Sequence, residues 1–202
     1  MRIGRFLKLK SLGGNRVIFA VLPNPIRAVN MLFGNPTDFA IEAMTEPHLS
    51  APSAVWGRMR VVCDKQTYGD YENPHCALYP AYCQFRWFRK NVIDLWDSSF
   101  NGLSNSELHD FLDHAIYGDD NRNTQEIESD SMRYGRFNFL TNWGEQFDGY
   151  KSFIVSPMAG TLIILRRDEC GLLIVASCST QGFVKAADEY LDWFHAETER
   201  LT

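Results

Sequence analysis

Residues 134–156, YGRFNFLTNWGEQFDGYKSFIVS, constrain the fold more than any other stretch. Tyr134, Phe137, Phe139, Trp143, Phe147, Tyr150 and Phe153 are aromatic, and such large rings are normally buried in a core or at an interface. Arg136, Asn138, Asn142, Glu145, Gln146, Asp148 and Lys151 are interleaved with them. Trp143-Gly144 and Asp148-Gly149 are turn signals between two extended runs, so the pattern predicts a strand, a shaped loop and a returning strand. Two uses fit this arrangement. One is a core hairpin with aromatic cross-strand pairs. The other is a polar and aromatic platform offered to a partner, because Trp, Tyr and Arg dominate binding hot spots.

The residues that follow favour the first use. Ser156 to Gly160 reads as a turn, and residues 161–167 and 172–178 as two strands across Asp168-Glu169-Cys170-Gly171. With 136–141 and 150–156 they predict a consecutive antiparallel meander. Most of the aromatics then belong to the core, and the loop 142–148 is the part left to meet a partner. Thr180 is placed to cap a final helix from about Gly182 to Arg200, with Phe183, Val184, Ala187, Tyr190, Leu191 and Phe194 as its apolar stripe.

Upstream, Phe39, Ile41 and Ala43 alternate with Ala40, Glu42 and Met44 after a Gly34-Asn35-Pro36 turn. Residues 55–63, VWGRMRVVC, alternate in the same way, so an antiparallel pair is expected, with a short third strand near 64–71. Pro74 and Pro80 make 72–83 irregular. A helix is expected over about 84–100, ended by Asn101-Gly102. Ser104 and Glu107 form a capping box for a helix running to about Tyr117, with Leu108, Phe111, Leu112 and Ile116 buried. Residues 118–130, GDDNRNTQEIESD, read as a solvated acidic segment. The sum is α+β: an N-terminal strand pair and a C-terminal meander of antiparallel sheet packed with three helices.

Charge divides the chain in two. Residues 1–30 hold six of the 20 Lys and Arg and no Asp or Glu, leaving 14 basic against 25 acidic residues in 31–202, a net of −11. The basic head has Gly13-Gly14 and Pro23-Asn24-Pro25 across any helical period, and its apolar run 17–22 is short for a secretory signal. It is read as an N-terminal extension, with an organelle transit peptide as the alternative and a single domain expected over 31–202. No apolar run reaches the length of a membrane span. An acidic domain is a poor surface for phosphates, which argues against direct nucleic-acid binding, and suits a positively charged protein partner.

Little in the sequence points to catalysis or metal binding. Cys63, Cys76, Cys83, Cys170 and Cys178 contain no C-x-x-C pair, so no structural zinc site is expected and reduced thiols in a cytoplasmic protein are the default. His75 beside Cys76 suggests a nucleophile pair, but neighbours in extended chain point to opposite faces. His109/Asp113 and Asp110/His114 have metal-ligand spacing on a helix, which an exposed mixed-charge face also produces. The acidic segment lacks the glycine and terminal Glu of a calcium loop. No catalytic residue, cofactor site or metal site is assigned.

MLFGNPTDFAIE (31–42), WGRMRVVCDKQTYGD (56–70) and NFLTNWGEQFDGYKSFI (138–154) resemble bacterial immunity proteins of polymorphic-toxin and contact-dependent-inhibition systems, the nearest group being immunity protein 42. The resemblance runs from Met31 to the C-terminal helix. It implies a non-enzymatic cytoplasmic antitoxin that binds the C-terminal domain of a cognate toxin. It transfers no interface residue. Charge instead suggests Asp119, Asp120, Glu126, Glu128 and Asp130 as the toxin-facing set, with Trp143, Glu145 and Asp148 second. If the toxin is a nuclease, such a surface would cover its basic cleft. Two rivals are a small hydrolase using His75 with Cys76 or His109 with Asp113, and a peptide-binding regulatory module. Oligomeric state is left open.

Overall fold

The computed structural model describes residues 30–46, 55–72, 76–118 and 122–201. The basic head up to residue 29, His75, Asp119 and Asp120 lie outside the described residues. The described residues form two antiparallel sheets and four α-helices.

The first sheet contains β1 (Met31–Gly34), β2 (Phe39–Thr45), β3 (Trp56–Cys63), β4 (Gln66–Tyr68) and β5 (Cys76–Ala77). β1, β2, β3 and β4 are neighbours in that order, and β5 pairs with the start of β3. The expected pairing of β2 with β3 is present, running from Phe39 opposite Cys63 to Thr45 opposite Gly57. Period-two alternation sets its faces: Gly57, Met59, Val61 and Cys63 are buried, and Trp56, Arg58, Arg60 and Val62 are half-exposed. Strand β1, not anticipated from the sequence, pairs with β2 across the Asn35–Asp38 turn.

That turn also joins the sheet to the C-terminal helix α4 (Thr180–Leu201). Asn35 Oδ1 accepts from the Thr37 N–H at 3.0 Å, an Asx turn. Asp38 accepts from the Ser179 N–H at 2.7 Å and from its hydroxyl at 2.5 Å. Ser179 Oγ in turn accepts from the Gly182 N–H at 2.9 Å, so Ser179, rather than Thr180, caps α4. Gly34 has φ +83°, and a Cβ there would lie 2.5 Å from the Phe39 carbonyl oxygen and 2.6 Å from Ala186 Cβ. The Phe-Gly-Asn-Pro entry is therefore a close-packed joint between sheet and helix.

The second sheet is the expected meander: β6 (Asn138–Phe139), β7 (Ser152–Met158), β8 (Thr161–Arg167) and β9 (Leu173–Ser179), in sequence order. β6 is only two residues long because 135–137 form a 3-10 turn.

Four helices are present where three were expected. Helix α1 (Tyr79–Asn91) starts about five residues earlier than its apolar period suggests, because Pro80 falls in the first turn, where a missing N–H costs nothing. It also stops early, and 92–94 and 98–100 are 3-10 turns. Helix α2 (Asn105–Tyr117) carries the expected Ser104/Glu107 capping box. Helix α3 (Thr124–Tyr134) occupies the segment read as a solvated acidic stretch. Its own capping box, Asn123 with Glu126, is what that reading overlooked.

The core is aromatic. Phe85 of α1 has ring neighbours Phe39 of β2 at 6.4 Å, Trp143 at 5.1 Å, and Phe183 and Tyr190 of α4 at 6.1 and 5.6 Å. Phe88 meets Phe139 and Trp143, each at 5.6 Å. A second group, Phe100, Phe111, Tyr134 and Phe137, joins α2 and α3 to the meander. Aromatic contacts of this kind add about 0.5–1.5 kcal/mol each beyond their burial.

Candidate partner surface

The aromatic stretch 134–156 divides cleanly. Tyr134, Phe137, Phe139, Trp143, Phe147 and Phe153 are buried, and Tyr150 is half-buried. Trp143 is only 2% exposed, so it is core and is closed to a partner in this conformation. Its burial is achieved by a tight turn: Leu140 and Asn142 have φ +64° and +60°, and the Trp143 N–H donates to the Leu140 carbonyl at 3.1 Å. Left-handed backbone at a leucine costs of order 1 kcal/mol, offset here by complete burial of its side chain.

Glu145 and Asp148 are both exposed. The Glu145 carboxylate accepts from the Ala77 N–H at 3.1 Å, and the Gln146 carbonyl accepts from the Asp70 N–H at 2.6 Å. Residues 145–148 are thus stitched to the β4–β5 side of the first sheet. The acidic set on α3 packs instead against α2. Among the described residues, Glu126, Glu128 and Asp130 sit on α3, and Glu145 and Asp148 in the loop before β7.

Helix α3 is the better surface. From Asn123 to Arg133 every residue but Asp130 is exposed, and only Tyr134 is buried. Its carboxylates have different tasks. Glu126 completes the capping box, its side chain accepting from the Asn123 N–H at 3.1 Å. Asp130 pairs with Arg122 at 2.9 Å, and Arg122 also donates to the His114 and Gly118 carbonyls at the end of α2. Glu128 makes no hydrogen bond or ion pair within the described residues. It lies beside a shallow depression lined by Gln125, Ser129, Met132 and Arg133. Met132 is 84% exposed, and Ile127 is also exposed. At the far end Arg133 grips Asp97 with two hydrogen bonds of 3.0 and 2.6 Å, and Arg136 adds a third at 3.3 Å. The Arg133 contact, with backbone and hydroxyl donors from Ser99, holds the Asp97 carboxyl well below the usual carboxylate range. Both ends of α3 are tied down while its outer face presents Glu128 and Met132.

Of the residues suggested for hydrolysis, His75 lies outside the described residues, and the other three have the following surroundings. Cys76 is fully buried, and desolvation pushes its thiol up to about 11, which keeps it protonated at neutral pH. His109 is buried rather than surface-exposed, because α2 lies between the meander and the second aromatic group and so buries a wide stripe. Its ring stands edge-on to Phe153 at 5.2 Å, and Nδ1 is 3.3 Å from Asp110. Asp113 pairs with Lys151 at 2.6 Å. Among the described residues no group of three His, Cys, Asp or Glu is placed to hold a metal ion. No helix of the described residues is long and apolar enough to cross a membrane.

The family model for immunity protein 42 matches residues 31–185, from β1 into the first turns of α4. The chain belongs to the immunity protein 42 family. By that membership it is an immunity protein. No curated protein matches it in sequence. Among solved structures it is similar to the crystal structure of CdiI from Burkholderia dolosa AUO158, with a TM-score of 0.53 and 13% identity over 80% of this chain and 99% of that one. At that identity the likeness is one of fold.

Proposed function

We propose that the protein neutralises a cognate toxin domain in the cytoplasm by binding it directly, without catalysis, and that the outer face of α3 makes the contact. Family membership supports the role, and the exposure of Met132 beside the uncommitted carboxylate of Glu128 supports the surface. An apolar anchor beside an unpaired carboxylate suits a basic partner surface, since complementary charge speeds encounter and an inserted side chain holds the complex. A nuclease toxin would offer such a surface in the cleft that receives its nucleic acid. Asp119 and Asp120, just before α3 in sequence, belong to the same proposed acidic set.

The test is affinity for the C-terminal domain of the toxin encoded beside this gene. Glu128→Lys should weaken binding about tenfold and lower its salt dependence, and Met132→Ala should raise the dissociation rate by a similar factor. Neither residue supports the fold, so circular dichroism should be unchanged. Unaltered affinity in both variants would remove α3 from the interface.

A further inference from the structure

Strand β9 is an edge of the meander, since among the described residues only β8 pairs with it. Which of its backbone groups are free follows from the register. The Asp168 N–H donates to the Leu172 carbonyl, and the Thr180 N–H to the Gly160 carbonyl, at either end of the β8–β9 ladder. Even-numbered residues of β9 therefore bond to β8, and Leu173, Val175, Ser177 and Ser179 direct their N–H and C=O groups outward. Two ends of this edge are closed: the Ser179 N–H is taken by Asp38 at 2.7 Å and the Gly171 carbonyl by Arg167 at 2.8 Å. Between them the outward groups of Leu173, Val175 and Ser177 have no partner among the described residues.

Such an edge is normally protected by a charge, a proline or a bulge. Residues 172–179, LLIVASCS, contain none of these, and the β8–β9 register is unbroken. Val175 is 40% exposed and Leu172 67%.

We infer that β9 is the seam of a homodimer, in which two copies pair antiparallel about a two-fold axis at Val175. The open window is symmetric about that residue, so Leu173 of each copy meets Ser177 of the other and every outward N–H finds an outward C=O. Two acidic chains can meet there without opposing charges, because the window is uncharged. The same register brings the 168–171 turn of each copy, with exposed Glu169, to the α4 end of the other, where Lys185, 70% exposed and 3.9 Å from Glu189, can meet it. A two-fold contact uses this complementarity twice. The surface lies on a different element from α3, so a dimer leaves that face free.

Sedimentation velocity of the full chain across a concentration series tests this directly. The expected result is a species of twice the monomer mass that dissociates on dilution. Val175→Lys, which keeps the β8 ladder but places a charge on the axis, should leave monomer only. Ser177→Pro removes one outward N–H without touching the ladder to β8 and should do the same, should the first variant fold poorly. Glu169→Lys should weaken the dimer at least threefold, and adding Lys185→Glu should restore it. A wild-type chain that stays monomeric throughout overturns the inference, as does a dimer unaffected by Val175→Lys and Ser177→Pro. Monomeric wild type whose toxin binding is lost in Val175→Lys would assign the edge to a toxin strand instead, and equally overturns it.

Discussion

Gly34 shows how one residue can decide whether sheet and helix meet. Its positive φ and the clash a Cβ would make with Phe39 and Ala186 leave no room for any other side chain. Gly34→Ala should destabilise the protein by about 3 kcal/mol, read as a lower denaturant midpoint with unchanged slope. His109 makes a second residue-scale prediction. Burial lowers its pKa from the ordinary 6.5, so the unfolded chain binds a proton more readily than the folded one. Its contribution is then fully present above about pH 6.5 and is lost as pH falls toward the depressed folded value. Denaturation at a series of pH values should show stability falling over this range, and His109→Gln should flatten that part of the profile. A profile identical in the two proteins would mean that His109 is not desolvated. The sequence placed this histidine on an exposed face because i,i+4 charge patterning looks the same whether or not a second layer covers it. Trp143 was misplaced for a related reason, since an aromatic residue in a polar loop gives no sign of the left-handed turn that folds it inward.

At the scale of elements, legibility followed apolar periodicity. Strands β2, β3, β7, β8 and β9 and helices α2 and α4 alternate or repeat against one buried face, and the sequence located each within a few residues. Helix α3 buries only Tyr134, so it had almost no periodic signal to read. Its evidence lay in the Asn123–Glu126 capping box and in Arg122, which ties it to the end of α2. Asn123→Ala should therefore destabilise α3 by about 1 kcal/mol, seen as faster amide exchange confined to its first turns. Uniform loss of protection across the whole chain would instead show that α3 unfolds only with the rest. The start of α1 was hidden by Pro80, which blocks a helix interior but suits its first turn.

Across the described residues, two sheets and four helices share an aromatic core, and Phe85 is the centre of its larger group. Phe85→Ala should cost about 3–5 kcal/mol, measured by chemical denaturation, because it opens a cavity shared by β2, α1, α4 and the 139–147 loop. The partner surface was legible only as acidity. What the fold added was a division of labour: Glu126 and Asp130 hold α3 in place, and Glu128 with Met132 is left facing out. That division makes the central claim testable in cells. The C-terminal domain of the neighbouring toxin is expressed inducibly with either the wild-type protein or a Glu128→Lys, Met132→Ala variant, and growth is followed after induction. The wild-type protein should restore growth and co-purify with the toxin domain, and the folded variant should do so far less well. Growth arrest with no complex in the presence of abundant wild-type protein would contradict that claim.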